Sequence, residues 1–353
     1  MNFTEELMGK IIELEKENDD LRRWQGTVNQ LLGQMLDMVT QLSESKKDKR
    51  EIEAELNNLW TYASINRYRV NSLPYELQDP DYKSFYYKPH IMSKEETIRQ
   101  IIEEGKSIAR LGDGEFAGIV EQKRWNFQGE SHLLSLKLQD VLKSDNDNLL
   151  VGLNPTFYMN LFDIPEEDAD GVRAYMQPMV RRLHAELLSR DKIYGNALFH
   201  SINSDEDIAS LRRIWNDRDC VFIEGVHTCM GVGNDLFDNC YGIERILGPA
   251  ENAIDKYEEI LEEAIKQPKD KLFLIALGPT ATVLAYELFK LGYQAIDIGH
   301  IDLIYEGYLR KLPNLYEVDI PYKYCSRDEK VLGRIIEEVD FPDYKSQIIA
   351  IIQ

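Results

Sequence analysis

Residues 272–302 of this 353-residue chain read LFLIALGPTATVLAYELFKLGYQAIDIGHID. The run Leu272–Leu277 has the length and the apolar composition of a fully buried strand. Pro279 suits the first turn of a helix, and the helical period that follows continues to Leu291. A second short apolar run, Ala295–Ile298, has the pattern of another strand. A strand, a helix and a strand in this order are typical of a parallel β-α-β unit.

The same alternation extends over the chain from about Ser93. We predict an α/β fold with a Rossmann-like, mainly parallel sheet and flanking helices. The candidate strands are Ser107–Leu111, Leu149–Leu153, Lys192–Gly195, Cys220–Glu224, Ile243–Leu247, Leu272–Leu277 and Ala295–Ile298. The candidate helices are Lys94–Glu104, Leu133–Lys143, Val172–Ser189, Glu206–Trp215, Ala253–Lys266 and Thr280–Leu291. Ligands bind beyond the carboxyl ends of such strands, so the residues that follow each strand are the candidates for a site.

A long coiled-coil helix is predicted ahead of this body. Nine of eleven seam positions between Leu7 and Leu42 are apolar, in the alternating spacing of a coiled coil. The polar seam residues Asn18 and Gln25 fix the register, and a buried Asn often accompanies a parallel dimer. We therefore expect a homo-oligomer formed through this helix. The alternative is a long amphipathic helix packed against its own domain.

Four segments follow from these patterns. They are a coiled coil (1–72), a linker (73–92), the α/β domain (93–325) and a C-terminal tail (326–353). No stretch reaches the ~18 consecutive apolar residues of a transmembrane segment, and the acidic N-terminus does not resemble a signal peptide. The four cysteines fall at no metal-like spacing and are expected to be buried thiols. We expect a cytoplasmic protein, with peripheral attachment at the inner membrane face as a further option.

The chain is strongly acidic, with 41 basic and 62 acidic residues and a formal net charge of −21. Residues 1–75 carry a net charge of only −3, so the body of the protein carries −18. This balance argues against nucleic-acid binding, because phosphate contacts depend on Lys and Arg. A polyanionic ligand such as a sugar nucleotide would need a metal ion or helix N-termini to offset its charge.

The end of the first candidate strand carries a possible metal motif. Residues 110–115 read RLGDGE, with Asp113 and Glu115 two positions apart and flanked by glycines. Both carboxylates can face one point where the backbone turns tightly. Divalent cations such as Mg²⁺ and Mn²⁺ prefer oxygen ligands of this kind. The alternative is an ordinary acidic turn, which the spacing alone favours.

Two other strand ends have the composition of phosphate-binding loops. Residues 224–236 read EGVHTCMGVGNDL, and their glycines permit close approach of backbone N–H groups to a phosphate. This run is neither a P-loop nor a dinucleotide fingerprint, and a glycine-rich connector is the alternative. Residues 278–282 read GPTAT and begin a helix with free N–H groups and two hydroxyls, which suits an anion. Plain helix capping by Thr280 is compatible with that role.

The last candidate strand is followed by a cluster of titratable residues. Residues 297–306 read DIGHIDLIYE, with one imidazole and three carboxylates. His300, Asp302 and Glu306 could supply a third metal ligand and a general base for an acceptor hydroxyl. If this segment is helical, Asp302 and Glu306 lie one turn apart on one face. A strand-end salt-bridge cluster is the alternative. The histidines outside such clusters, interpreted as structural or surface groups, are His90, His132, His184 and His200.

These loops, taken in order, resemble the GT-D type glycosyltransferase domain. The resemblance rests on the runs RLGDGE, EGVHTCMGVGNDLFD, ILGPAENAIDKYEEIL and ALGPTATVLAYELFKLGYQAIDIGHID, and it covers about Ser93 to Leu312. Bacteria use members of this family to extend glycans on surface adhesins and in surface polysaccharides. The resemblance implies a Rossmann-like fold, a UDP-sugar donor and a glycan or glycoprotein acceptor. It also implies a divalent metal, Mn²⁺ or Mg²⁺, held by an Asp-x-Glu motif that falls on Asp113 and Glu115.

The histidine and the glutamate of the family's GHID…E stretch fall on His300 and Glu306. We expect Glu306, or Asp302 instead, to deprotonate the acceptor hydroxyl if the reaction inverts the anomeric centre, and His300 to be a ligand or to orient that base. The residues expected to bind the nucleotide sugar are Arg110, Gly112, Gly231, Gly233, Asn234, Asn252, Gly278, Thr280 and Thr282. Two positions depart from the family pattern. Cys229 stands where a basic residue is common, and Gly307 where a tryptophan is usual.

Two other functions are compatible with the sequence. A catalytically silent scaffold would use the coiled coil to recruit partner glycosyltransferases and would bind neither metal nor UDP. A different nucleotide-dependent α/β transferase, for instance a nucleotidyltransferase, would release pyrophosphate instead of transferring a sugar.

Overall fold

The strands form one parallel sheet within the part of the chain that the structure describes. The computed structural model describes residues 89–119, 128–158, 187–189, 191–312, 318, 320–323 and 341–353. The strands are β1 (His90–Ile91), β2 (Ser107–Leu111), β3 (Leu149–Leu153), β4 (Ile193–Asn196), β5 (Asp219–Gly225), β6 (Gly242–Gly248), β7 (Leu272–Ala276), β8 (Gln294–Asp297) and β9 (Ile348–Ile351). The helices are α1 (Lys94–Glu103), α2 (Asp113–Ile119), α3 (His132–Lys143), α4 (Asp205–Arg212), α5 (Tyr257–Ala264), α6 (Pro279–Lys290), α7 (Ile301–Leu309) and α8 (Pro342–Gln347).

The strand order places β2 and β8 where the chain reverses its direction across the sheet. The order is β1-β4-β3-β2-β8-β7-β5-β6-β9, and each of these pairings is parallel. From β2 the chain continues through β3 to β4 on one side, whereas β5 to β8 lie on the other. The carboxyl ends of all these strands therefore meet at one edge. In open α/β sheets this edge binds ligands, at the point where the strand order reverses.

The helices begin in two different ways. Ser93, Ser131 and Ser204 accept hydrogen bonds from backbone N–H groups in the first turns of α1, α3 and α4. Such caps satisfy N–H groups that have no partner within the helix. By contrast, α6 begins after Gly278 with Pro279 at its first position, and no side chain caps it. This uncapped helix start follows β7 at the carboxyl edge of the sheet.

The centre of the sheet is fully buried. Ile296 of β8 is in register with Ile108 of β2 and with Leu274 of β7. All three belong to one apolar cluster that also includes Trp215. Helix α6 packs against both β2 and β8. The residues at the ends of these two strands are therefore held by a rigid frame.

The predicted architecture is confirmed. The seven predicted strands are present, and their ends are shifted by at most one residue. The predicted helix Glu206–Trp215 ends at Arg212, and the predicted helix Ala253–Lys266 begins with a 3₁₀ turn, Ala253–Lys256. Helix α2 occupies a segment for which the sequence indicated only a turn. Strand β9 pairs with β6, so the sheet includes part of the segment 326–353 that the sequence sets apart as a tail.

Some expectations fall on residues that the structure does not describe. These are the coiled coil of residues 1–72, most of the linker, Cys325, and the predicted helix Val172–Ser189 except for its last three residues. Among the helices in the described part of the chain, none combines the length and the apolar character that a membrane span requires.

The buried centre of the sheet yields a stability prediction. Ile296→Ala removes a side chain with 0% exposure, whereas Ile351→Ala makes the same change on β9 at 59% exposure. We expect the first to lower the free energy of unfolding by about 2–5 kcal/mol and the second by less than about 1 kcal/mol. Urea unfolding of both variants measures the difference. Equal losses would show that β8 is not at the centre of the core.

Candidate active site

Two clusters of polar side chains lie at the carboxyl edge of the sheet. The first, the Arg110 cluster, consists of Arg110, His200, Thr282 and Asp297. The second, the Asn234 cluster, consists of Asn234, Asp302, Glu306 and Lys323. Strand β8 leads directly from the first to the second, because Asp297 ends β8 and Asp302 lies in α7.

The Arg110 guanidinium ties three strand ends together. Its Nε lies 2.8 Å from the carbonyl oxygen of Asp297, and its Nη2 lies 3.1 Å from Asp297 Oδ1. Its Nη1 donates to the carbonyl of Ala197, which follows β4, at 3.1 Å. The guanidinium thus holds β2, β8 and the end of β4 in a fixed relation. The sequence predicts that Arg110 binds the nucleotide sugar, whereas in this structure its Nε, Nη1 and Nη2 each donate to a group within the protein.

Thr282 and Gly299 complete the surroundings of Asp297. The Thr282 hydroxyl lies 2.8 Å from the Arg110 carbonyl and 3.0 Å from Asp297 Oδ2. The backbone N–H of Gly299 donates to Asp297 Oδ1 at 3.1 Å. Gly299 has a φ of +52°, and a Cβ at this position would lie 2.2 Å from Arg110 Nη2. Only glycine combines this backbone with such a close approach of the guanidinium.

Asp113 and Glu115 lie in the first turn of α2 and not in an isolated turn. Glu115 Oε2 accepts a hydrogen bond from the N–H of Gly112 at 2.6 Å, which is the returning half of a capping box. Burial raises the pKa of Glu115 to about 7, the carboxylates of Asp297 and Asp113 add to this effect, and Arg110 opposes it. Two other carboxylates and one guanidinium therefore act on the Glu115 carboxyl.

The chemistry of this donor set fits a divalent cation. Among the described residues, no group of three or more His, Cys, Asp or Glu side chains is arranged to hold a metal ion. Mg²⁺ and related cations, however, are commonly held by one or two carboxylates together with substrate phosphates and water. Asp113 and Glu115 have the chemistry of such a pair, although residues two apart in a helix do not face each other directly. The excess negative charge around Glu115 favours a cation.

His200 belongs to this site, although the sequence grouped it with structural or surface histidines. Its ring is buried, within hydrogen-bond distance of Arg110 Nη1, and its centroid lies 6.4 Å from that of His300. Burial lowers the pKa of His200 well below its usual range, and Arg110 and His300 add to this effect. His200 is therefore neutral. The signal that could have found it is its position four residues beyond β4.

The Asn234 cluster joins the loop after β5 to helix α7. Asn234 Nδ2 donates to Asp302 Oδ1 at 2.7 Å and to Glu306 Oε1 at 2.8 Å. The segment is helical, and the two carboxylates lie one turn apart, as the sequence indicated. Glu306 Oε2 also accepts from Arg310 Nε at 3.2 Å. One amide nitrogen thus holds both candidate bases.

The loop that carries Asn234 is anchored on both sides. Glu224, fully buried at the end of β5, accepts from the N–H of Met230 at 2.7 Å and pairs with Arg245 at 2.5 Å. On the other side, the Tyr305 hydroxyl of α7 lies 2.6 Å from Asp235 Oδ1. These contacts fix the loop relative to both β5 and α7.

Lys323 and Tyr322 are site residues that the sequence did not reveal. Lys323 Nζ lies 2.5 Å from Asp302 Oδ2, and its side chain is only 1% exposed. A Cβ at Gly233 would lie 2.4 Å from the Tyr322 hydroxyl, so the tyrosine covers this loop. Both residues come from a short segment, 320–323, that has no helical or strand period. No pattern in the sequence distinguishes them from surface residues.

The remaining predicted residues lie beside the Asn234 cluster or at the start of α6, with the exception of Asn252. Gly231 and Gly233 have positive φ angles in the loop beside the Asn234 cluster, and Gly278 has one at the start of α6. The Thr280 hydroxyl in α6 is buried and has no hydrogen-bond partner among the residues that the structure describes. Asn252, by contrast, accepts from the N–H of Gly129 at 2.8 Å. In this structure, Asn252 therefore holds the chain that precedes α3.

The close approach at Gly299 yields a second stability prediction. Gly299→Ala combines a positive φ with a steric clash against the Arg110 guanidinium, so we expect a loss of roughly 1–3 kcal/mol or more. Gly105→Ala is the matched control, because Gly105 has a φ of +64° with nothing within 4 Å of the added Cβ. Unfolding both variants in guanidinium chloride measures the difference in their free energies of unfolding, which is the cost of the clash. A Gly299 variant no less stable than the Gly105 variant would contradict the described packing.

Two streptococcal proteins are similar to this chain in sequence. It is 30% identical over 270 residues to the protein named "Probable glycosyl transferase Gly" of Streptococcus gordonii, covering 74% of this chain and 38% of that protein. It is 32% identical over 264 residues to glycosyltransferase GlyD of Streptococcus pneumoniae, covering 72% and 32% respectively. The chain thus spans about a third of the length of these relatives.

Solved structures match the fold over most of the chain. One is described as a new glycosyltransferase (DUF1792) from Streptococcus sanguinis, with a TM-score of 0.67, 29% identity, and coverage of 75% of this chain and 100% of that chain. Another is described as a domain of unknown function 1792 with a distinct glycosyltransferase fold, at a TM-score of 0.68, 29% identity, and coverage of 78% and 99%. The family model for the glycosyltransferase GT-D fold matches residues 108–327. The chain therefore belongs to the GT-D fold family of glycosyltransferases.

Proposed function

We propose that this protein transfers a sugar, a hexose, from a UDP-sugar to a hydroxyl of a surface glycan, a glycoprotein or a polysaccharide precursor. Membership of the GT-D family supports sugar transfer. The UDP donor and the acceptor class come from the resemblance of the sequence motifs to that family. The heptads of residues 1–72 support self-association as part of the same proposal.

The observation that carries the proposal is the concentration of carboxylates at the switch point of the sheet. The carboxylates of Asp113 and Asp297 both raise the pKa of Glu115 there, and Arg110 is the nearby cation that opposes this effect. A diphosphate would be repelled from such a place unless a cation lay between. We assign the divalent metal to Asp113 and Glu115, because Asp297 is already saturated by Arg110, Thr282 and Gly299.

A bound cation would offset the negative charge that develops on the diphosphate as the sugar leaves. The start of α6, which no side chain caps, lies at the same edge and suits the phosphate or the ribose, with the Thr280 hydroxyl close by. Gly278 permits that helix start through its positive φ.

The protein's own acid–base step belongs to the Asn234 cluster. In an inverting transfer, the acceptor oxygen forms the new bond to the anomeric carbon as the bond to the UDP oxygen breaks. The electron pair of the broken bond leaves with UDP, and the hydroxyl proton passes to a carboxylate. We assign that carboxylate to Glu306. Asn234 holds one oxygen of each acid, but the second oxygen of Asp302 pairs with the buried Lys323, whereas that of Glu306 pairs with Arg310, whose side chain is 47% exposed.

The metal assignment is tested by Asp113→Asn. We expect this variant to lose Mn²⁺-dependent release of UDP from UDP-glucose, and to lose UDP binding in the presence of Mn²⁺ by calorimetry. Asp140→Asn, on the exposed face of α3, removes one carboxylate charge elsewhere and should retain both properties. Full activity of the Asp113 variant would refute the metal assignment. A wild-type chain that binds neither Mn²⁺ nor UDP would instead indicate a scaffold.

The base assignment is tested by Glu306→Gln. We expect the rate of UDP release from UDP-glucose to fall by roughly 10²–10⁴-fold, as is typical when a general base is removed. The Kd of UDP with Mn²⁺ should stay within about twofold, because Glu306 acts on the acceptor. Glu262→Gln on α5 is the matched surface control. A rate equal to that of the wild type would exclude Glu306 as the base.

A further inference from the structure

We infer that Lys323 is a positioning residue for the proposed transfer, and that it acts on Glu306 through Asp302 and Asn234. The inference rests on the proposed function, and no sequence motif assigns Lys323 a role. It depends on a chain of three contacts within the Asn234 cluster.

The first contact is a buried ion pair. Lys323 Nζ lies 2.5 Å from Asp302 Oδ2, and the two side chains are 1% and 3% exposed. An unpaired charge in such a place is strongly unfavourable, so each partner depends on the other. Burial raises the pKa of Asp302, and Lys323 opposes this effect. The ammonium therefore supports the charged form of Asp302 in a site closed to solvent.

The second and third contacts pass through one amide group. Asn234 Nδ2 has two hydrogens, and it donates one to Asp302 Oδ1 and one to Glu306 Oε1. The Asn234 Oδ1 accepts from the N–H of Leu236 at 3.2 Å, which fixes the orientation of the amide. The direction of the Glu306 carboxylate is thus set by an amide that the Asp302 carboxylate holds.

The other partner of Glu306 cannot replace this chain of contacts. Arg310 Nη2 lies 3.2 Å from Glu306 Oε2, but the arginine side chain is 47% exposed. Exposed pairs of this kind contribute little and are easily exchanged for water. Lys323 is the buried cation of the cluster, and it reaches the site from a segment outside the strands and helices.

The inference is tested with Lys323→Met, Lys323→Arg and Asn234→Ala, using UDP-glucose and Mn²⁺ as the probe. We expect Lys323→Met to lower kcat for UDP release by roughly 100-fold, because small misplacements of a reacting group have effects of this size. Its Kd for UDP should remain within about twofold of the wild-type value. Lys323→Arg keeps the charge and should retain most of kcat, even though the larger side chain lowers Tm. Lys137→Met removes a lysine that pairs with Glu287 on α6 and should leave kcat unchanged.

A double-mutant cycle tests the route of the effect. If Lys323 acts through Asn234, the double variant Lys323→Met/Asn234→Ala should lose no more activity than either single variant. Losses that multiply would overturn the proposed route. If Lys323→Met does not fold, Asn234→Ala is the test that remains, because it leaves the ion pair between Lys323 and Asp302 in place. An unchanged kcat in Asn234→Ala would overturn the inference.

The outcomes separate this inference from the proposed function. A wild-type chain without UDP release would overturn both. A wild-type chain whose activity depends on Asp113, with kcat unchanged in Lys323→Met, would overturn the role of Lys323 alone. If kcat falls equally in Lys323→Arg and Lys323→Met, and Tm falls in parallel, the role of Lys323 is structural and the inference is overturned.

Discussion

The contact between Arg110 and Asp297 is the constraint on which the carboxyl edge depends. It joins β2 to β8, the two neighbouring strands at which the chain reverses direction, and it reaches the end of β4 through the Ala197 carbonyl. A guanidinium presents donors in several directions in one plane, so it can hold three strand ends where a lysine could hold fewer. The consequence is local: Gly299 must lack a side chain, and the chain then turns directly into α7. The placement of Asp302 and Glu306 therefore begins with this contact.

The two clusters divide the chemistry of the edge between them. Around Glu115 the carboxylates outnumber the cations, which suits a metal ion and a diphosphate. In the Asn234 cluster, Lys323 faces Asp302, and the neighbouring Arg310 faces Glu306, so that site carries little excess charge. Under the proposed function, a protein with a strongly negative body would bind the negatively charged donor at the first cluster and the neutral hydroxyl acceptor at the second. The separation follows from the topology, because the first cluster surrounds the β2–β8 junction and the second joins the β5 loop to α7.

The sequence predicts most of the sheet, because buried parallel strands are short apolar runs bounded by glycine, proline or polar residues. Leu149–Leu153 and Ser107–Leu111 are found without error for this reason. Helix α2 is missed because its seven residues include two glycines, which weaken a helical pattern. Strand β9 is missed because its pairing with β6 is a contact between distant parts of the chain. Lys323 is invisible for a related reason: its significance comes entirely from a carboxylate 21 positions earlier.

Asp302 and Glu306 show why a pair of acids one turn apart need not be equivalent. Both are nearly buried, and both accept from the same amide nitrogen. Their remaining oxygens differ, because Asp302 faces a buried ammonium at 2.5 Å whereas Glu306 faces a half-exposed guanidinium at 3.2 Å. A proton acceptor must have an oxygen that can exchange its partner for a substrate, and a buried ion pair opposes such an exchange more strongly than an exposed one. The environment of each oxygen, more than the spacing along the helix, therefore supports the proposed assignment of the structural role to Asp302 and of the reactive one to Glu306.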